Sequence, residues 1–124
     1  MKKDMVLNRI EHHLLSMQVD DDEPLFILYA DTKRDIRGTT LDQILKALVK
    51  LLGMGLSECL IKNGGKWQKC ENLTLSDLKR RFEGQSEEDK LKYPIHTDEY
   101  YFKITAKGKL EEAKKIYDAY YPQV

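Results

Sequence analysis

The sequence has little of what stabilises secreted or membrane-embedded proteins. It contains two cysteines, Cys59 and Cys70, and three prolines in 124 residues, so at most one intramolecular disulfide is available. No apolar run approaches the roughly 18 residues that a membrane-spanning helix needs. The opening residues, MKKDMVLNRIEHH, reach several charged side chains before any apolar block forms. This pattern predicts no secretory signal, no membrane association and a cytoplasmic protein with reduced cysteines.

An excess of charge of one sign is also lacking. The 21 basic and 21 acidic residues give a net charge of zero, although residues 1–31 carry three basic and seven acidic side chains. A protein devoted to nucleic acid usually has a basic excess, because neutralising phosphates supplies most of its affinity. The balance therefore restricts any nucleic-acid contact to a local patch. The length fits one domain over residues 1–124.

Motifs for catalysis and for metal binding are missing as well. There is no G-x-S-x-G, no H-E-x-x-H and no phosphate-cradling glycine loop. Ten residues separate Cys59 from Cys70, whereas zinc sites usually present cysteines in close pairs. His12, His13 and His96 lie far from both in sequence. We therefore expect no enzyme activity, no metal and no cofactor, and two reduced cysteines of which at least one is packed.

Apolar spacing predicts two helices at the start of the chain. Residues 3–17 repeat apolar side chains at intervals of three and four. The acidic run DDDE is followed by Pro24. Proline suits the first helical position, and carboxylates favour the positive end of a helix. PLFILYADTKR is therefore predicted as a second helix. A short buried strand over LFILY is the alternative.

A third helix over residues 40–53 has the clearest pattern in the chain. Thr39 or Thr40 is expected to cap it, and Gly53 and Gly55 are expected to end it. A wide apolar stripe runs along it: Leu41, Ile44, Leu45, Leu48, Leu51 and Leu52.

A hairpin is predicted in CLIKNGGKWQKC, because Asn and Gly tolerate the positive φ of tight hairpin turns. A two-residue turn at NG would pair Leu60 with Trp67, whereas a turn at GG would place Cys59 opposite Cys70. The sequence leaves this register open.

The second half of the chain predicts three further elements and a short turn. NLTLSDLKRRFEG is predicted as a short helix, SEEDKLKYP as a further turn or two of helix, and EYYFKIT as a strand because of its aromatic and β-branched residues. Thr105 is expected to cap a long C-terminal helix. An apolar stripe is expected along this helix, formed by Leu110, Ala113, Ile116, Tyr117 and Tyr120.

Two short segments, GLSE at residues 55–58 and FKITAKG at residues 102–108, resemble the winged helix-turn-helix superfamily. There a capped helix steps into the first wing strand, and the last wing strand leads into a C-terminal helix. The resemblance implies an α+β fold in a single winged-helix-like domain. Its expected parts are three N-terminal helices, a small antiparallel sheet holding the residue 57–70 hairpin and residues 99–104, an inserted short helix and the C-terminal helix.

The resemblance also implies DNA binding in transcriptional regulation, with the helix over residues 40–53 in the major groove of duplex DNA. The residues carried over to base contacts are Thr39, Thr40, Gln43 and Lys46. The residues carried over to phosphate contacts are Lys50, Lys62 and Lys66.

Two departures favour a second hypothesis, a protein-interaction module that has lost DNA binding. About 30 residues separate the hairpin from the last strand, where the family usually has a short loop. The predicted recognition helix carries only two positive charges and one negative charge. The interaction hypothesis assigns a protein partner or a second copy to the C-terminal helix, through Tyr117, Tyr120 and Tyr121.

Overall fold

The computed structural model describes residues 7–95 and 98–114, which form six helices and four strands. No helix in these ranges is both long enough and apolar enough to cross a membrane. The helices are α1 (Arg9–Met17), α2 (Leu25–Asp35), α3 (Leu41–Gly53), α4 (Leu75–Phe82), α5 (Glu87–Lys90) and α6 (Ala106–Ala113). The strands are β1 (Glu23–Pro24), β2 (Ser57–Asn63), β3 (Lys66–Lys69) and β4 (Tyr100–Ile104).

The first helix begins at Arg9, later than its predicted start at residue 3. Asn8 ends the preceding extended segment and forms a capping box with Glu11. The Asn8 side-chain oxygen accepts the Glu11 N–H at 2.8 Å, and the Glu11 carboxylate accepts the Asn8 N–H at 3.0 Å. Because both otherwise unpaired N–H groups are satisfied there, the helix has a defined start.

The helical interpretation of LFILY is confirmed, but the predicted role of Pro24 is wrong. Pro24 is the extended N-cap of α2 rather than its first helical residue, and with Glu23 it pairs with β4. Proline has no N–H to donate to a neighbouring strand, so it is tolerated on an edge strand and not in an inner one. The acidic run therefore leads into β1, which contains its last residue, Glu23. The Phe26 N–H at the start of α2 donates to the Glu99 carboxylate at 3.0 Å.

The strongest element of the sequence, α3, has the predicted cap and stop. Thr40 forms a capping box with Gln43, and the helix ends in a Schellman motif with Gly55 in the left-handed region at φ 74°. The Leu56 N–H donates to the Leu51 carbonyl at 3.0 Å, and the Gly55 N–H donates to the Leu52 carbonyl at 3.1 Å. The stripe of α3 forms the centre of the core, with buried Ile44, Leu45, Ala47, Leu48 and Leu51.

The four strands form one antiparallel sheet in the order β1-β4-β2-β3. The hairpin uses the GG turn: Asn63 pairs with Lys66, and Gly64 and Gly65 have φ of 60° and 81°. Cys59 consequently faces Cys70, whose N–H donates to the Cys59 carbonyl at 2.8 Å.

The two cysteines are free thiols, and Cys59 is buried while Cys70 is half-buried. This confirms the expectation of reduced cysteines with at least one packed. Burial raises the pKa of both thiols, so both stay protonated and weakly nucleophilic at neutral pH.

The predicted insertion lies between the hairpin and β4 and contains α4 and α5. The short helix predicted in this stretch is confirmed as α4, and Thr74 caps it. Leu78 and Phe82 join the core, and Arg81 forms a fully buried ion pair with Glu99. The insertion is thus anchored both by apolar packing and by charge.

The two segments that carried the family resemblance contact each other at the end of α3. The Thr105 hydroxyl donates to the Gly55 carbonyl at 2.7 Å, and the Thr105 N–H donates to the Leu56 carbonyl at 3.0 Å. The Lys107 ammonium donates to the Met54 carbonyl at 3.0 Å. Gly108 packs so closely that a Cβ there would lie 2.0 Å from the Leu56 carbonyl oxygen. Carbonyls left unpaired at the end of one helix are therefore satisfied by the start of another.

The predicted apolar stripe of the C-terminal helix does not face the core in α6. Leu110 is 70% exposed, and Ala113 is exposed. The helix packs instead through Gly108 and Glu112, and the Glu112 carboxylate accepts the Ser16 hydroxyl at 3.0 Å. Those two contacts set the rotation of α6. The other predicted stripe and interaction residues, Ile116, Tyr117, Tyr120 and Tyr121, lie outside the described residues.

Candidate interaction surface

The predicted base-reading end of α3 is largely occupied by its own capping bonds. Thr39 is 5% exposed, and its hydroxyl donates to the Ile36 carbonyl at 2.7 Å. The Thr40 hydroxyl accepts the Gln43 N–H at 3.2 Å, and the Gln43 side chain accepts the Thr40 N–H at 2.9 Å. Thr40 and Gln43 remain at the surface, whereas Thr39 is not accessible to a base.

The lysines of the same helix are paired with carboxylates. Lys46 lies 2.9 Å from Asp42, and Lys79 of the inserted α4 lies 3.0 Å from the same carboxylate. Hydrogen bonds from these two lysines lower the pKa of Asp42. Lys50 lies 3.0 Å from the nearly buried carboxylate of Glu11. The exposed face of α3 is therefore a mixed surface flanked by α4 and not a continuous positive one.

The tip of the hairpin differs, because its lysines lack such partners. Among the described residues, no carboxylate lies within ion-pair distance of Lys62 or Lys66. The Lys62 ammonium lies 5.9 Å from the centre of the Trp67 ring, where the ring face attracts a cation. These two predicted phosphate-contact residues are exposed and lie on either side of the hairpin turn.

The outer face of the sheet, which points away from the core, carries an unusual set of aromatic side chains. Strand register assigns the faces: buried Cys59 pairs with buried Phe102, whereas Leu60 pairs with Tyr101 and Lys62 pairs with Trp67. Successive strand residues alternate between faces. The outer face therefore carries Glu58, Leu60, Lys62, Trp67, Lys69, Tyr101 and Lys103.

Four aromatic residues on this side form a contiguous cluster, which we call the aromatic row: Trp67, Tyr101, Tyr93 and Phe26. The rings of Trp67 and Tyr101 meet edge to face, with centres 4.9 Å apart and planes at 86°. Tyr93 and Phe26 pack the same way at 5.6 Å and 74°. The Tyr101 hydroxyl donates to the Tyr93 hydroxyl at 3.0 Å and links the two pairs.

The aromatic row remains open to solvent although its members contact one another. Trp67 is 52% exposed and Tyr93 is 53% exposed, and the neighbouring Ile95 is 87% exposed. Burial and the hydrogen bond to Tyr93 raise the pKa of Tyr101 to about 12, so its proton stays in that bond at neutral pH. The Tyr93 hydroxyl accepts this bond and keeps its own proton as a donor.

The sequence pattern did not reveal this row. Its members come from α2, β3, β4 and the segment after α5, and only the strand register brings them together. The one available signal was an aromatic residue two positions before a lysine in WQK and YFK, a spacing that puts the ring and the lysine on the same face of a strand. The interaction residues predicted from the sequence were instead tyrosines beyond residue 114.

One serine and histidine pair lies elsewhere, between α1 and α6. The Ser16 hydroxyl lies 3.4 Å from the His12 Nδ1 and donates to the Glu112 carboxylate at 3.0 Å. Because its single proton goes to the carboxylate, the hydroxyl joins two helices in this arrangement. In residues 7–95 and 98–114, no three His, Cys, Asp or Glu side chains are grouped so as to hold a metal ion.

Comparison of the chain with protein-family models, with curated proteins and with solved structures finds no match. The class of protein is therefore defined by the fold itself: a small mixed α+β domain with an antiparallel four-stranded sheet, in the part of the chain that the structure describes.

Proposed function

We propose that the chain is a non-enzymatic domain of winged-helix architecture that binds another protein through the outer face of its sheet. The order of the elements supports the architecture. β2 follows the end of α3 after three residues, β4 leads into α6, and β2 pairs with β4. The segment that contains α4 and α5 is then the insertion between the hairpin and β4.

The aromatic row is the observation that carries this proposal. Tryptophan and tyrosine are enriched at the centres of protein interfaces, because each buries a large area while losing few rotamers and keeps a polar group for hydrogen bonding. Here Trp67 and Tyr93 are about half exposed, yet their neighbours hold them in place. A partner that covers them would remove apolar surface from water at a low cost in side-chain entropy.

The charge on α3 favours a protein partner over duplex DNA. Each lysine on its exposed face already has a carboxylate within 3.0 Å, so binding phosphates there would require breaking ion pairs. The inserted α4 lies beside the same face and reaches it through Lys79. Groove entry would bring DNA against α4 as well.

We expect the Trp67→Ala substitution, combined with Tyr93→Ala, to weaken capture of the partner from source cells by at least about 30-fold, because truncating interface hot spots costs 2 kcal/mol or more. The measurement is quantitative affinity capture with wild-type and variant protein, followed by a binding isotherm on the recovered protein. Both side chains are half exposed, so circular dichroism should report an unchanged fold.

Two control variants identify the surface. Val19→Ser changes an exposed apolar residue away from the sheet and should leave capture unchanged. Leu110→Ser changes the exposed side of α6. If Leu110→Ser abolishes capture while the aromatic substitutions do not, the interface lies on α6 and the sheet proposal is wrong.

Duplex DNA binding in transcriptional regulation is the second candidate, and the unpaired hairpin lysines favour it. It predicts that a duplex of about 20 base pairs binds with an affinity that falls steeply between about 50 and 200 mM salt. Changing Lys62 and Lys66 to glutamate together should then abolish binding, whereas Lys109→Glu on α6 should have little effect. Fluorescence anisotropy of a labelled duplex measures this. Equal binding by the wild type and the double variant at low salt would reject this candidate.

A further inference from the structure

The strand β3 forms an open edge of the sheet next to the aromatic row. Among residues 7–95 and 98–114, β3 pairs only with β2 in the order β1-β4-β2-β3, and all four of its residues are exposed. Antiparallel pairs alternate between hydrogen-bonded and non-hydrogen-bonded positions. The bond from the Cys70 N–H to the Cys59 carbonyl marks one bonded pair. Counting back along the register, the N–H and C=O groups of Trp67 and Lys69 point away from β2 towards the open edge.

The charges around this edge are mostly positive. The outer face carries three lysines and one glutamate: Lys62, Lys69, Lys103 and Glu58. The Glu58 carboxylate lies 3.4 Å from the Lys69 ammonium. Lys66 adds a further charge at the start of β3, and Glu71 follows β3 as an exposed carboxylate. A strand laid beside β3 would therefore find more cations than anions next to Trp67.

Building on the proposed function, we infer that β3 accepts an extended, acidic segment of the partner as a fifth strand. The backbone groups of Trp67 and Lys69 provide the hydrogen bonds, as in other cases of strand addition. Trp67 packs against apolar side chains of the segment on the outer face, and Lys66 on the opposite face pairs with its carboxylates. Lys69 adds positive charge near the other end of β3. The segment is expected to alternate carboxylates with β-branched residues, since a strand presents alternate residues to one face.

A second copy of this chain fits the same edge poorly. Pairing β3 with another β3 would bring Lys66 and Lys69 against the same two lysines of the other copy, and like charges facing each other across strands are destabilising. Lysines on an edge strand are a common device against such self-pairing. With an acidic partner, the same lysines attract the added strand instead of repelling it.

A single-stranded nucleic acid is also less suited, although lysines and aromatic rings are the usual features of such sites. Base stacking needs open ring faces. Here the rings of each aromatic pair meet at 86° and 74°, so that the edge of one ring covers a face of its neighbour. Nucleic acid is therefore an outcome of the test and not the proposal.

The experiment uses the full chain and capped synthetic peptides of about eight residues, long enough to extend beyond β3. In three peptides, valine alternates with aspartate, serine or lysine. The fourth and fifth peptides have the sequence of the aspartate peptide. In the fourth, the amides along one edge of the extended chain carry N-methyl groups, and in the fifth, the amides along the opposite edge carry them. Trp67 is the only tryptophan of the chain, so its fluorescence reports binding at this site, and the amide signals of β3 report new hydrogen bonds.

We expect the aspartate peptide to bind at least roughly tenfold more tightly than the serine peptide, and the lysine peptide to bind more weakly still. One of the two N-methylated peptides should lose binding and the other should keep it, because only one edge faces β3. Changing Lys66 and Lys69 to glutamate together should reverse the preference towards the lysine peptide, whereas Lys109→Glu should leave it unchanged.

Three results would overturn the inference. If all peptides fail to bind while capture of the cellular partner still depends on Trp67, the aromatic row binds without strand addition, and the proposed function stands. If both N-methylated peptides bind as well as the unmodified one, edge pairing is wrong. If an oligothymidine strand binds through Trp67 more tightly than the aspartate peptide, the ligand is single-stranded nucleic acid, which also overturns the proposed function.

Discussion

Replacing Glu99 by glutamine is expected to lower the free energy of unfolding by about 3–5 kcal/mol, the typical cost of removing one partner from a buried ion pair. The Arg81 Nε and Nη2 atoms each lie 2.7 Å from a different oxygen of the Glu99 carboxylate. The same carboxylate accepts the N–H groups of Phe26 at 3.0 Å and Tyr100 at 3.1 Å. The glutamine amide cannot accept all four bonds. Because it is also neutral, it would leave the buried Arg81 guanidinium without its counter-charge.

Guanidinium chloride unfolding followed by circular dichroism measures this effect. Glu88→Gln is the matched control, because Glu88 forms an exposed pair with Lys92 at 3.1 Å, and exposed pairs contribute less than about 1 kcal/mol. The double variant Arg81→Met with Glu99→Leu should regain much of the lost stability, since apolar replacement of both partners removes the uncompensated charge. It should stay below the wild type by about 1–2 kcal/mol, because the Phe26 N–H loses its cap. A single substitution no more costly than the control would show that the pair is not buried in solution.

The second large effect is expected from Gly108→Ala, which should destabilise the domain by about 3 kcal/mol, the upper range for overpacking. The added Cβ would lie 2.0 Å from the Leu56 carbonyl oxygen and 2.8 Å from the Ile104 Cγ1. The backbone oxygen cannot move away easily, because it also accepts the Thr105 N–H at 3.0 Å. The helix α6 would have to shift, and this loss should exceed the gain of roughly 1 kcal/mol that alanine brings to a helix.

Gly53→Ala is the matched control for this prediction. Gly53 also lies in a helix, at the end of α3, and a Cβ there would meet no atom within 4 Å. Its substitution should be neutral or stabilising by up to about 1 kcal/mol. Hydrogen exchange adds a local measurement: in Gly108→Ala, the amides of α6 should lose protection before those of α3. Equal stability of the two variants would mean that α6 does not approach Leu56 this closely.

Both effects concern the position of α6 and of the insertion relative to the outer face of the sheet. Glu99 lies directly before β4, which carries Tyr101, and Arg81 lies on the inserted α4. The buried pair therefore connects the insertion to the strand that holds the middle of the aromatic row. Substitutions of the row itself should leave stability nearly unchanged, so that loss of binding and loss of folding can be separated.

Local signals in the sequence were sufficient to identify most of the helices. The cap at Thr40, the glycine stop at Gly55 and the cap at Thr105 all depend on residues within a few positions of one another, and the structure contains all three. The hairpin was predictable for the same reason, but its register was not. NG and GG turns satisfy the same local rule, and only the burial of Cys59 and its pairing with β4 distinguish them.

Features that depend on distant residues escaped the sequence analysis. The two-residue strand β1 exists because β4 offers it a partner, and the start of α2 is satisfied by Glu99 rather than by the nearby acidic run. The rotation of α6, which exposes Leu110, follows from its contacts with Leu56 and Ser16. None of these causes is visible in a window of ten residues.

Local sequence alone determined the cap, the glycine stop and the core stripe of α3, the cap of α6 and the hairpin turn, because capping, turn geometry and apolar periodicity act over a few neighbouring positions. Tertiary structure decided where the charges are balanced and where aromatic surface is left open. Lys46 and Lys79 share Asp42 only because α4 folds back onto α3. Trp67 and Tyr101 meet only because β2 lies between their strands. The candidate surface arises from these distant pairings, whose partners the chain brings together only on folding.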